Sequence, residues 1–133
     1  MIECIPPERV PLVWAEAGPQ IERACKRFGE RSAHDVLCAL VTGNAQLWCA
    51  HGIAWAVTEV INYPRKRIAN VSLVAGRGVR LWADDLREEL TRWAKRYQCH
   101  EIRLVGRRGW HRLFPDSKQT TVLSQCLSEP SAP

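Results

Sequence analysis

The clearest periodicity in the chain runs from Val79 to Tyr97. Val79, Trp82, Ala83, Leu86, Leu90, Trp93, Ala94 and Tyr97 recur at three- and four-residue spacing, while Asp84, Asp85, Arg87, Glu88, Arg92, Lys95 and Arg96 fill the other face. The pattern predicts an amphipathic helix with one buried side. Its acids crowd the first half and its bases the last turn, the distribution that the helix dipole favours. Strand-like segments flank it, about Ile68 to Ala75 before and Glu101 to Val105 after, each next to a glycine corner: Gly76-Arg77-Gly78 and Gly106 to Gly109. A strand, a crossover helix and a second strand form a right-handed parallel pair. This unit is predicted to be the centre of the fold.

Upstream, Met1 to Ile5 reads as a short strand ended by Pro6-Pro7. A helical segment follows through Val10, Trp14 and Ala17, and Gly18-Pro19 predicts a bend or break before it resumes through Ile21, Ala24, Cys25 and Phe28 to Gly29. Ser32 with Asp35 is a capping-box start for a short helix closed by Gly43-Asn44. Ala45 to Cys49 and Ile53 to Ile61, joined at Ala50-His51-Gly52, read as antiparallel strands. With the turn at Asn62 to Arg65 they make a three-strand meander leading into the central unit. After Arg112, a turn at Phe114-Pro115-Asp116-Ser117 leads to a last extended segment, Thr120 to Leu127. The expectation is one α/β domain over residues 1–127, with a mixed sheet in which an antiparallel meander precedes a parallel strand-helix-strand crossover, and a flexible tail over residues 128–133.

Composition narrows the functional classes. A chain of 133 residues with 46% hydrophobic content supports a real core. Trp14, Trp48, Trp55, Trp82 and Trp93 fall in periodic segments and read as core or groove lining. The cysteines Cys4, Cys25, Cys38, Cys49, Cys99 and Cys126 form no CxxC pair, and MIECIPPERV has no apolar run of signal-peptide length. Free, mostly buried thiols in a reducing cytoplasm are expected, and no segment reaches transmembrane length. The net charge of +5 admits nucleic acid, phosphates or acidic surfaces as partners. Arg65-Lys66-Arg67 and the group Arg103, Arg107, Arg108, Arg112 are the densest basic patches; a solvated basic surface is the plainer reading. His34, His51, His100 and His111 lack ligand spacing, so no metal site is expected. No GxSxG, HExxH or full Walker sequence occurs.

The order of elements resembles the GNAT (Gcn5-related N-acetyltransferase) fold over nearly the whole chain. Ala45-Gln46-Leu47-Trp48, Val57-Thr58-Glu59-Val60, Trp93-Ala94 and Gly106-Arg107-Arg108-Gly109-Trp110 are also similar to phrases of small GNAT-like proteins of tailed phages and prophages. The resemblance implies a cleft between splayed parallel strands for the pantetheine arm of acetyl-CoA, with pyrophosphate on the backbone N–H groups of a Gln/Arg-x-x-Gly-x-Gly/Ala loop. In this chain the loop falls at Leu73 to Val79. Gly76 and Gly78 keep the glycine positions, Leu73 replaces the first residue, and Arg77, Val79 and Arg80 complete the expected cofactor-binding set. A tight strand-to-helix turn is the alternative reading of Gly76 and Gly78.

For catalysis the resemblance implies a base that deprotonates the amine and a Tyr that protonates the leaving thiolate. Glu59 is the candidate base, a carboxylate in an apolar strand where burial is expected to raise its pKa; an exposed acid paired with a cross-strand Arg is the alternative. Asn70 and Ser72 on the next strand can hold a water or a substrate amide. RRGWHRLF carries no Tyr, leaving His111 or Cys99 as the substitute acid. Trp110 there reads either as an anchor for a short helix or as a platform for a base, and Trp82 or Trp110 is expected to approach the cleft.

Three functions are consistent with these residues. One is a GNAT-like protein of phage or prophage type with a degenerate acyl-CoA site, partnering phage structural proteins, in the host cytoplasm or on the virion. The second is an acetyl-CoA-dependent N-acetyltransferase on a small amine or protein amine. The third is a nucleic-acid-binding module using the arginine-rich corner.

Overall fold

The computed structural model describes residues 1–106 and 108–128, with the side chains of Phe28 and Arg108 outside the description. The elements are β1 (Ile2–Ile5), α1 (Val10–Phe28), α2 (Ala33–Val41), β2 (Gln46–Ala50), β3 (Ala54–Asn62), β4 (Arg67–Gly76), α3 (Val79–Arg96) and β5 (Glu101–Leu104), with single 3-10 turns at Pro7–Arg9 and Arg108–Arg112. The strands form one sheet in the order β1-β2-β3-β4-β5. Its first three junctions are antiparallel and β4–β5 is parallel. The predicted mixed α/β architecture is the one observed.

Each face of the sheet is covered by the helix whose apolar stripe matches it. On one side, Trp82, Leu86, Leu90 and Trp93 of α3 pack on Trp48, Ala56, Ala69 and Val71. On the other, Val10, Ala17, Ile21 and Cys25 of α1 and Val36 and Leu40 of α2 pack on Leu47, Trp55, Val57 and Leu73. The alternation along β2 and β3 sends neighbouring residues to opposite helices, as a sheet covered on both faces requires. One polar chain crosses the α3 side: Trp48 Nε1 donates to Thr58 Oγ1 at 2.9 Å, and Thr58 Oγ1 donates to Gln46 Oε1 at 2.9 Å. Buried Thr58 is therefore satisfied.

Capping follows the sequence closely at α2, where Asp35 N–H donates to Ser32 Oγ and Ser32 N–H to Asp35 Oδ2, at 3.2 and 2.9 Å. Gly29 ends α1 in the left-handed conformation with φ 68°. Three expectations are corrected. First, Gly18-Pro19 makes no break, and α1 is a single 19-residue helix through Pro19. An internal proline costs about 3 kcal/mol, and the continuous buried face on both sides of it offsets that. Gly18 makes room for the Trp14 indole, since a Cβ there would stand 3.0 Å from Trp14 Nε1.

Second, Thr120 to Leu127 forms no strand, and Val122, Leu123 and Leu127 lie exposed. Strand propensity is realised only by pairing, and this segment has no ladder with β5. Third, only Cys25 among the six free thiols is buried; Cys49 and Cys99 are partly covered and Cys4, Cys38 and Cys126 are exposed. The expected tail at residues 129–133 and Arg107 of the second glycine corner lie outside the described residues. No helix among the described residues is long and apolar enough to cross a membrane.

Candidate functional site

Pairing between β4 and β5 stops part-way along β4, and a single inserted residue marks where. β4 and β5 are in register from Ile68↔Glu101 to Val71↔Leu104 and no further. β4 runs on to Gly76, paired with β3 alone. At the same point the β3–β4 register shifts: Thr58 opposes Val71 and Val57 opposes Leu73, which leaves Ser72 as the extra residue of a bulge. A bulge bends its strand and increases the local twist, and β5 itself ends at Leu104, so β4 runs beyond Val71 without a parallel partner. The bulge also sends both Ser72 and Leu73 to the α1/α2 side, Leu73 into the core and Ser72 onto Glu59. Beyond Val71, the β5-facing backbone groups of β4 have no strand partner.

The glycine corner closes this notch at its open end. Gly76 has φ 126°, and a Cβ on it would stand 2.6 Å from Ala54 Cα. Gly78 has φ 72° and is the N-cap of α3, with no side-chain oxygen to accept from the first turn. Leu81 N–H donates back to Gly78 O at 2.8 Å, and the N–H groups of Val79 and Arg80 in the first turn have no side-chain cap. Arg77 and Arg80 are exposed and form no ion pair among the described residues. The two acids nearest that end of the helix are engaged elsewhere: Asp84 with Arg87 and Asp85 with His51, each at 2.7 Å. Two free guanidinium groups and an uncapped helix N-terminus are a fit for a phosphorylated ligand.

Trp82 and Trp110, one of which is expected near the cleft, lie against each other beside the glycine corner and the end of β5. Trp82 is fully buried and its Nε1 donates to Arg77 O at 2.7 Å, which ties the corner to α3. Trp110 lies 6.4 Å from it, ring centre to ring centre, and packs on Gly106 just past the end of β5, where a Cβ would stand 2.7 Å from Trp110 Cδ1. The Trp110 ring therefore sits at the rim where β5 ends.

Glu59, Ser72, Asn70 and Arg31 form a polar cluster on the α1/α2 side of the bulge. Glu59 Oε1 accepts from Arg31 Nη1 at 2.7 Å and from Ser72 Oγ at 2.8 Å, and Asn70 Nδ2 donates to Ser72 Oγ at 3.2 Å. Oε2 of Glu59 has no partner among the described residues. Burial pushes the carboxyl up, but the Arg31 and Ser72 hydrogen bonds and the Arg31 charge outweigh it, leaving the pKa below the ordinary carboxylate range. The expected upward shift is thus reversed. The decisive partner is Arg31, from the α1–α2 loop; Asn70 is the cross-strand neighbour. Arg31 was invisible as a site residue in the sequence because only the fold brings it to β3, 28 positions away.

His111 sits in the turn after β5, with Nδ1 3.4 Å from Ser117 Oγ, and lines a groove along the outer edge of β5. The tyrosines, Tyr63 in the β3–β4 turn and Tyr97 at the C-terminus of α3, lie at the opposite end of the parallel unit from the notch. Cys99, the other substitute acid, follows α3 at that same far end and packs against the core. No group of three or more His, Cys, Asp or Glu side chains among the described residues is placed to hold a metal ion.

No protein-family model matches the chain, and no curated protein matches it by sequence. Solved structures do. A probable acetyltransferase superposes with a TM-score of 0.69 at 11% identity, covering 99% of this chain and 98% of the other. An aminoglycoside acetyltransferase from an uncultured soil metagenomic sample gives 0.67 at 10% identity, covering 97% and 96%. A predicted acetyltransferase from Clostridium acetobutylicum, solved with acetyl-CoA, gives 0.64 at 15% identity, covering 96% and 95%. From end to end, then, the chain has the fold of the GNAT acetyltransferases.

Proposed function

We propose that the protein is an acyl-CoA-dependent N-acyltransferase of GNAT type, acting on an amine. The observation that carries this reading is the coincidence of three features at one place: the bulge at Ser72, the end of β4–β5 pairing at Val71, and the uncapped N-terminus of α3 beside Arg77 and Arg80. The unpaired side of β4 can accept the amides of an extended arm as it would a strand. The N–H groups of the first turn of α3 and the Arg77 and Arg80 guanidiniums suit a diphosphate. Acetyl-CoA, when bound, supplies the activated acyl group.

The chain's own residues account for the amine. Glu59 is a carboxylate at neutral pH, with Oε2 free to hold an ammonium group or to take its proton through water. Ser72 and Asn70 fix the Glu59 carboxylate, and Arg31 holds it charged. A lowered pKa makes Glu59 a better anchor for a cation than a base, so proton removal is expected to be the slow contribution. No tyrosine reaches the notch, so no tyrosine of this chain would protonate the thiol that acyl transfer releases.

One observation favours a second reading. The Trp110 ring on Gly106 stands at the rim of the notch, and a ring held there in solution would close it. The protein would then be a GNAT-like interaction component with a degenerate site. Similarity to acetyltransferase structures gives no support to a virion-associated role. Isothermal titration of the full chain with acetyl-CoA separates the readings. The enzyme reading expects micromolar binding, weakened about tenfold or more by Arg77→Glu, the scale of a lost charged hydrogen bond. No heat at all would favour the interaction reading.

A further inference from the structure

β5, like β1 at the other end of the strand order, is an edge strand with one side unpaired. β5 ends the strand order, so its outward N–H and C=O groups have no ladder. Segment 117–122 runs beside that edge without joining it, and between them lies a groove of about 680 Å³. Lys66, Arg103 and Lys118 line it together with a single acid, Glu101, and Trp110 and Phe114 form its apolar end. Lys66 Nζ donates to Glu101 at 2.7 Å, and Arg103 stands 3.8 Å from the same carboxylate. Glu101 titrates below the ordinary carboxylate range, first through the Lys66 hydrogen bond and then, against a small burial effect, through the charges of Lys66, Arg103 and Lys118. Two cations thus hold one carboxylate, Lys118 lines the same groove, and the groove carries net positive charge beside a row of unpaired peptide groups.

We propose that this groove binds an extended acidic segment of a partner polypeptide, which adds as a strand to β5 and sets its carboxylates against Lys66, Arg103 and Lys118. Two facts select that occupant. An unpaired strand edge is complementary to another peptide backbone, which a nucleic acid strand cannot supply. The chain's own following segment, Thr120 to Leu127, is strand-like but uncharged, and its start already forms the far wall of the groove. Filling the groove from within would leave the excess cations unanswered. The groove lies along the opposite edge of β5 from the notch, and the two meet at Gly106 and Trp110.

Fluorescence anisotropy of the full-length protein with a labelled peptide alternating valine and glutamate tests it. Saturable binding is expected, weakening as salt rises above about 0.15 M. Lys118→Glu is expected to weaken it about tenfold or more; Lys118 is exposed and forms no ion pair among the described residues, so the fold should not depend on it. A peptide of the same sequence with alternate backbone nitrogens methylated should bind far more weakly, a loss that charge attraction alone does not produce. Several results would overturn the proposal. These are no saturation below about 1 mM, a range in which specific binding is measurable, equal binding of the methylated peptide, or tighter binding of oligothymidylate. Slow amide exchange over residues 119–127 in the free protein would show that the chain fills its own edge, and self-association through β5 would show a second copy there; either overturns it.

Discussion

The two halves of β4 differ in what holds them. Ile68 to Val71 is paired on both sides, with β3 and β5, and its inward residues meet α3 in the tryptophan-rich core. Leu73 to Gly76 is paired on one side only, and its far end is held by the close approach of Gly76 to Ala54 and by Trp82 bonded to the Arg77 carbonyl. The same strand is thus structural over its first half and a wall of the candidate site over its second. The difference is made by one residue, Ser72, and the bulge spares the alternation around it. Val71 faces α3 and Leu73 faces α1 whether or not Ser72 stands between them.

The largest effect is expected where the unpaired half depends on glycine. Gly76→Val puts a β-branched side chain at φ 126° against Ala54 and should cost about 2–4 kcal/mol in urea unfolding. Gly109→Val, at a position with open space and no positive φ, should stay within about 0.5 kcal/mol of the parent. Equal losses at both would mean that the corner is not tightly held. Deleting Ser72 sharpens the comparison further. It should keep the fold, cost about 1 kcal/mol for the lost hydrogen bond to Glu59, and straighten β4 so that amide exchange slows at Leu104 to Gly106 while acetyl-CoA binding is lost. Unfolding on deletion would contradict a simple bulge.

A smaller effect concerns acid stability. The Glu59 pKa is depressed in the folded protein, so its stabilising contribution is present above the unfolded-state pKa and is lost as pH falls through the folded one. Thermal melts of the parent should therefore fall on acidification from about pH 5 downward, and Glu59→Gln should flatten that slope while lowering stability at pH 7. An unchanged slope would show that Arg31 does not hold Glu59 in solution.

Much of this fold was legible because its signals are local. The α3 stripe, the Ser32–Asp35 capping box, the hairpin glycines and the strand-helix-strand order each depend on residues close in sequence. What stayed hidden depends on distant pairing. The bulge at Ser72 is defined only against β3, the Glu59 pKa only against Arg31, and the absence of a final strand only against the β5 edge it fails to join. Gly18-Pro19 makes no break in α1 because the buried face that continues on both sides of it overrules local propensity. Gly76 and Gly78 were open to two readings. Both have structural reasons in close packing and positive φ, and these same conformations leave the helix N-terminus uncapped.

The central claim is that the notch between the open ends of β4 and β5 takes acyl-CoA. Amide chemical shifts of the full chain, followed by NMR during titration with acetyl-CoA, test it residue by residue. The expected result is saturable change concentrated at Ser72 to Leu81 and at Leu104 to Gly106, with the Trp82 and Trp110 indole N–H signals moving too. Shifts confined to the outer edge of β5, or none at all, would contradict it.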